Sequence, residues 1–319
     1  MDKELGLKMK HLFVVNPVAG GRDASADLRG RVERAFRTRE DSFEVYVTRG
    51  PKDATEKIIR EAEASDEELR VYACGGDGTF NECVCGAARH PNVAVCPFPT
   101  GTGNDFCRMF GTDADLFRNL DAVLAGQVKE IDLISCNGSY SANICSVGID
   151  ARIGTDVHKY SGLPLIGGAG GYVISAAVNA FKGIATNMHV QCGEYDVRGK
   201  FSLICACNGR FYGGGFNPSP NATLDDGLLD FYIVKKVSLF TFARCVGKYA
   251  AGHADDFPQF ITHLRGTDLR IEFEREDVIN LDGEALYAAA VDMKLLPKAL
   301  KLIIPDGLGS GTDIPPLSL

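Results

Sequence analysis

Residues 69–82 read LRVYACGGDGTFNE. An apolar run rich in β-formers stops at two glycines, and an aspartate, a third glycine and a threonine follow before a helical pattern sets in. A strand therefore ends in a turn that is almost bare backbone. Glycine turns after strands hold phosphates, because backbone N–H groups can approach an anion closely. Asp77 sits in the middle of this one. A carboxylate roughly 4 Å from one phosphate charge, at an effective dielectric near 20, costs on the order of 4 kcal/mol. The loop thus calls for a cation, and a magnesium ion carried by a nucleotide turns the repulsion into a clamp.

The same alternation extends on both sides. HLFVV, FEVYV, LRVYAC and VAVCPF are strand-like, and helical patterns lie between them, from Ala24 to Arg39, from about Asp53 and from about Thr79. Strands alternating with helices make an open, mostly parallel α/β sheet, which binds ligands at the carboxyl ends of its strands. NPVAGGR, TRGPKD, GGDGTFNE and FPTGTGND all follow such strands. After about Ile131 the texture changes to short β-like runs with Gly, Asn and Asp turns, which predicts an antiparallel β-sandwich. The boundaries read as an α/β nucleotide-binding domain over 1–130, a β-sandwich substrate domain over 131–299, and a segment from about 300 to 319 packing back on the first domain. A glycine-rich, helical insertion, YSGLPLIGGAGGYVISAAVNAFKG, starts at Tyr160 and reads either as an apolar lip for acyl chains or as a cover for the sandwich.

The chain has 319 residues, 45% hydrophobic and 24% charged, with a net charge of −8. That balance gives no basic field and argues against nucleic acid as a partner. No run of eighteen apolar residues and no signal-peptide pattern occurs, so the expected localisation is cytoplasmic. The eleven cysteines include no CxxC pair, and they read as small buried hydrophobes rather than a disulfide framework or zinc site.

The loops carry the chemistry. There is no P-loop, and GTGNDF lacks the third glycine of a dinucleotide fingerprint. In NPVAGG, Asn16 is placed to bond a nucleotide, and Gly20 and Gly21 admit it. Thr79, Asn81 and Glu82 either bond the nucleotide or cap the helix. PTGTGNDF repeats the theme with Thr100, Thr102, Asn104 and Asp105. NLDGEAL places Asp282 and Glu284 around a glycine, either as a general base and its partner or as an exposed hairpin turn.

NPVAGG, VTRGPKDA, GGDGTFNE, PTGTGNDF, EIDL, ATLDDGLLD and LDGE together resemble the diacylglycerol kinase catalytic domain family, which includes bacterial soluble lipid kinases and sphingosine kinases. The resemblance covers nearly the whole chain and implies ATP held between an α/β domain and a β-sandwich. It assigns ATP contacts to Asn16, Pro17, Val18, Ala19, Gly20, Thr48, Gly76, Asp77, Gly78, Thr79, Asn81, Glu82 and Thr102. It implies a carboxylate and water network with Mg2+ at Asp77, Asp105 and Asp132, and proton removal from a lipid hydroxyl by Asp282 or, second, Glu284. A structural magnesium is implied on ATLDDGLLD, at Asp226 with the carbonyls of Thr223 and Leu228. Phe80 and Cys83 to Cys85 depart from the family's GGDGTLNEVVNG in ways that bear on helix packing.

The expected partner is a lipid substrate met through peripheral, transient membrane contact. Lys294, Lys298 and Lys301, and the five arginines from Arg29 to Arg39, are the local basic candidates for that contact. A homodimer through a sandwich edge stays open. Two other readings compete: a kinase of a soluble acceptor like the NAD kinases, which share a GGDGT loop, and a nucleotide-binding regulator without turnover.

Overall fold

A computed structural model describes residues 9–21, 23–101, 104–153 and 184–309. The described residues divide into two compact units, one holding those up to Ile131 together with those from Lys298 on, the other those within Asp132–Pro297. The chain passes from the first to the second within strand β5 (Gln127–Cys136) and returns within β13 (Glu284–Ile304). The insertion from Tyr160 to Gly183 lies outside the described residues, as does Thr102.

In the first unit, β1 (Lys10–Val15), β2 (Ser42–Val47), β3 (Leu69–Gly75) and β4 (Val93–Pro99) form a parallel sheet in the order β2-β1-β3-β4. The end of β13 adds to β4 in parallel at Lys301 and Leu302. Helices α1 (Ser25–Ala35), α2 (Asp53–Ala64) and α3 (Asp77–Ala87) are the crossovers. Leu12 to Val15, Val71 to Cys74 and Val93 to Cys96 are all buried, as expected of strands covered on both faces. Two short helices follow, α4 (Asp105–Arg108) and α5 (Leu120–Leu124). Beyond β13, the Asp306 N–H donates to the Ala122 carbonyl at 2.9 Å.

The second unit is antiparallel. β6 (Ser139–Ser141), β7 (Ile144–Gly148), β8 (Thr186–Cys192), β9 (Tyr195–Cys207), β10 (Leu229–Lys235), β11 (Ile261–Gly266) and β12 (Asp268–Leu281) join the body of β13. Their order runs β11-β10-β9-β7-β12-β13, with β8 bonded to both β9 and β12. Alternation along β9 and β10 builds two cores. Ile204, Ala206, Phe231 and Ile233 enter one, while Leu203, Cys205, Cys207 and Tyr232 enter the other. The run LICAC therefore looks continuous in sequence because both faces are covered. Cys205 and Cys207 belong to the second core, where burial pushes the Cys207 thiol far up. A helix that the sequence patterns did not reveal, α6 (Leu239–Ala250), follows β10. Among the described residues, no helix is long and apolar enough to cross a membrane.

Candidate functional site

The first unit gathers three glycine loops at the ends of β1, β3 and β4. Helix α3 starts at Asp77, two residues before the sequence pattern suggested. The Asp77 Oδ1 accepts the Asp105 backbone N–H at 2.8 Å, so the carboxylate ties the β3 loop to the first turn of α4. The Gly75 carbonyl accepts the Thr100 N–H at 3.2 Å and tightens the same junction. A Cβ on Gly75 would lie 2.2 Å from Thr79 Oγ1, and one on Gly20, whose φ is +71°, would lie 2.8 Å from the Thr100 carbonyl. Gly20 excludes a larger residue because two loops are pressed together there, and Gly75 because its own turn folds Thr79 back over it.

The residues expected to meet a nucleotide are distributed unevenly. Asn16 Nδ2 donates to Thr79 Oγ1 at 3.2 Å, and Asn16 Oδ1 accepts the Val18 N–H at 3.1 Å. Pro17 and Ala19 are half-buried, Val18 and Gly20 exposed, and Gly76, Asp77 and Gly78 half-buried. The Thr48 hydroxyl donates to the Val15 carbonyl. Thr79 and Asn81 are buried. Glu82 turns away to a neighbour: its carboxylate accepts the N–H groups of Lys52 at 2.9 Å and Ala54 at 3.3 Å, capping α2 rather than its own helix. Orphan N–H groups at a helix start need such an acceptor, and only the fold brings this one from thirty residues away.

Does this unit suit a polyphosphate with its metal? Asn104 Nδ2 is a buried donor with no hydrogen-bond partner among the described residues, and Gly20, exposed and packed against Thr100 and Gly101, leaves bare backbone open to an anion. Two arginines that the motifs did not single out add positive charge. Arg108 Nε lies 3.0 Å from Asp105 Oδ1, and Arg118 donates to the Gly101 carbonyl at 3.1 Å. Donors, cations and the acids Asp77 and Asp105 in one place fit Mg-ATP as a substrate.

The second unit holds the other acids. LDGE is indeed a two-residue hairpin, with Asp282 at φ +50° and Gly283 at φ +100° and Leu281 paired to Glu284. Its Asp282 is nonetheless tucked in. Oδ1 accepts from the Ser141 hydroxyl at 2.7 Å and the Ile144 N–H at 2.8 Å, and Oδ2 from the Ala142 and Asn143 N–H groups at 2.9 and 3.4 Å. Burial pushes the Asp282 carboxyl up, and these donors hold it back. Glu284 is exposed.

Asp132 is buried. Its Oδ2 accepts the Gly227 N–H at 2.8 Å, and its own N–H donates to the Leu224 carbonyl at 2.7 Å. Asn208, which no motif signalled, donates through Nδ2 to the carbonyls of Asp132 and Ala142, both at 2.8 Å. One amide thus links the strand of Asp132 to the loop that cradles Asp282.

On the Thr223–Leu228 turn, Asp226 Oδ1 accepts the Leu228 N–H at 3.1 Å, and its Oδ2 pairs with Arg265. Arg265 Nε also lies 3.2 Å from Asp230 Oδ1. Among the described residues, no three His, Cys, Asp or Glu side chains are grouped to hold a metal ion. The turn as arranged suits a guanidinium, which meets the charge a divalent cation would meet. A further acid, Asp150, lies beside Ser146 and Tyr212, and burial pushes its carboxyl up to about 7.

Residues 10–136 match the diacylglycerol kinase catalytic domain, and residues 143–304 match the YegS C-terminal NAD kinase beta sandwich-like domain. The chain is 29% identical over 290 residues to "Probable lipid kinase YegS-like" of Shewanella frigidimarina, covering 90% of this chain and 92% of that one. It is 28% identical over 281 residues to a diacylglycerol kinase of Bacillus subtilis, covering 86% and 90%. Two solved structures from Bacillus anthracis str. Sterne share the fold. One has a TM-score of 0.72 at 26% identity over 92% of this chain and 96% of its own. The other, described as a diacylglycerol kinase, has 0.67 at 24% over 94% and 98%. The chain belongs to the family that joins a diacylglycerol kinase catalytic domain to a YegS C-terminal NAD kinase beta sandwich-like domain, as a kinase that phosphorylates an alcohol group.

Proposed function

We propose that this protein transfers the γ-phosphoryl group of Mg-ATP to the hydroxyl of a lipid, diacylglycerol or a relative of it. The observation that carries the reading is the Asp77 to Asp105 bond, because it fuses two glycine loops into one anion-binding frame that includes acids for the nucleotide's metal. Asn16, Gly20, Gly76, Gly78 and Thr79 border the polyphosphate in this reading, and Asn104 supplies a donor. The lipid hydroxyl oxygen attacks the γ-phosphorus, its proton passes to Asp282, the bond from the γ-phosphorus to the bridging oxygen breaks, and ADP leaves.

A general base works best when its pKa is raised toward neutrality, and the burial of Asp282 acts in that direction. Among the donors named above, the Ser141 hydroxyl can rotate away and free a lone pair for the incoming proton, whereas the backbone N–H groups are fixed. Asp132 and Asn208 act as positioning residues behind that loop. Glu284, being exposed, is the weaker candidate.

The test uses labelled ATP, purified protein and vesicles containing diacylglycerol, a sphingoid base or phosphatidylglycerol. Label in the organic extract supports the reading, and its absence with every lipid rejects it. The name of the C-terminal match favours one alternative, phosphorylation of NAD, and NADP formation in a coupled assay would establish that instead. Peripheral membrane contact of a cytoplasmic protein belongs to the lipid reading.

A further inference from the structure

Helix α6 has an unusual division of faces. Of its twelve residues only Tyr249 is buried. One face, with Phe242, Val246 and Tyr249, lies over a small apolar hollow whose other walls include Leu203, Val234 and Ile261. The opposite face, carrying Leu239, Phe240, Ala243, Arg244 and Gly247, is open to solvent. Phe240 is 77% exposed and Leu239 49%, and both stand at the start of the helix, directly after the exposed Lys235 and Lys236.

An exposed pair of large hydrophobes on a polar protein marks an interaction site when it is rimmed by polar groups. Here the polar residues nearest the pair in sequence are basic. From residue 231 to 254 the chain carries Lys235, Lys236, Arg244, Lys248 and His253 and no acid, against a whole-chain net charge of −8. Lys248 is spent on Asp256 at 3.1 Å. Lys235, Lys236 and Arg244 pair with no acid among the described residues. The Lys236 N–H donates to the Lys200 carbonyl at 2.8 Å, which brings a third exposed lysine alongside.

We infer that the face of α6 bearing Leu239 and Phe240, with Lys235, Lys236 and Arg244 around it, docks on an anionic lipid bilayer. The two side chains enter the headgroup and acyl boundary, and the basic rim meets anionic headgroups. Charge complementarity selects this occupant over a second copy of the chain, which would bring the same basic rim against itself. The inference rests on the lipid-kinase reading for its purpose, because a kinase acting on a bilayer component must reach the bilayer surface. It differs from the basic candidates at Lys294 to Lys301 and Arg29 to Arg39, which lack an exposed apolar pair.

The experiment is vesicle flotation of the full chain without nucleotide, using phosphatidylcholine alone and phosphatidylcholine mixed with phosphatidylglycerol. Two double variants, L239D/F240D and K235E/K236E, are compared with wild type, and circular dichroism confirms their folding. Wild type should float with the mixed vesicles, and each variant should bind them about tenfold more weakly or worse. Phosphorylation of a short-chain lipid in detergent micelles should be unchanged in both variants. Wild type that floats with neither vesicle, or variants that float as wild type does, would overturn the inference while leaving micellar kinase activity intact. Variants that convert a dimer to a monomer while binding vesicles normally would also overturn it, by giving this face to a second copy. Normal flotation without lipid phosphorylation anywhere would sink the kinase reading and leave the docking surface standing.

Discussion

Asp77 Oδ1 accepts the Asp105 N–H at 2.8 Å, so the carboxylate that looked out of place in a phosphate loop is the fastener between two such loops. Structure and chemistry are separable at this residue. Asp77→Asn keeps an oxygen for the Asp105 N–H and should leave the thermal midpoint near wild type, with turnover on Mg-ATP down on the order of a hundredfold. Asp77→Ala leaves that N–H without an acceptor and should lose about 1–3 kcal/mol of stability as well. Urea unfolding and a phosphorylation assay on both variants check the split.

Gly75→Ala puts a methyl group 2.2 Å from Thr79 Oγ1. The expected cost is about 1–3 kcal/mol from overpacking, with weaker ATP binding because Thr79 carries the Asn16 contact. Adding Thr79→Ser removes one methyl but keeps the hydroxyl that clashes, so it should not restore stability. Thr79→Ala should. Denaturant midpoints for the two double variants decide.

Asp282→Asn should lower kcat about 10²–10⁴-fold while leaving ATP affinity, read by calorimetry, unchanged. The amide nitrogen faces backbone N–H donors, which adds a stability loss of about 1–3 kcal/mol. The wild-type pH profile of kcat should show its acidic limb above the ordinary carboxylate range, since burial raises this pKa. That limb should vanish in the variant's residual activity.

Asp150 shapes stability against pH. Its carboxyl titrates at about 7 in the folded chain and in the ordinary carboxylate range when unfolded, so the folded state holds the extra proton between those limits. Its contribution is therefore lost as pH rises from about 4 to 7. Asp150→Asn should flatten this slope, leaving stability near wild type at the acidic end and raising it by about 1–4 kcal/mol above pH 7. Denaturation at a series of pH values measures it.

Arg265 pairs with Asp226, the side chain expected to hold a structural magnesium. Chelation with EDTA should leave the thermal midpoint of the nucleotide-free protein unchanged, whereas Arg265→Ala should lower it. A midpoint that falls on chelation and recovers with magnesium would return the turn to a metal.

The parallel strands and their glycine loops were legible in sequence because each signal is local: an apolar run, then Gly-Gly-Asp-Gly. The hairpin at Asp282 was legible for the same reason. What those signals omit is where a side chain's partner comes from. Glu82 reaches across to cap α2, Asn208 joins Asp132 to Ala142, and Arg265 meets Asp226, all over separations that no short pattern encodes. Helix α6 is amphipathic at the helical period, but it follows β10 closely and its aromatic and β-branched residues, Phe240, Thr241, Phe242 and Val246, favour strands locally. Asp150 gave no sign, since its raised pKa comes from burial alone.

Strand β9 sends Ile204 and Ala206 into one core and Leu203, Cys205 and Cys207 into the other. Deleting a single codon between 203 and 207 would exchange the contents of both interiors at once, placing branched side chains where thiols fit and the reverse. Descendants of this gene can therefore drift there only by replacement, and changes of length must accumulate in its turns.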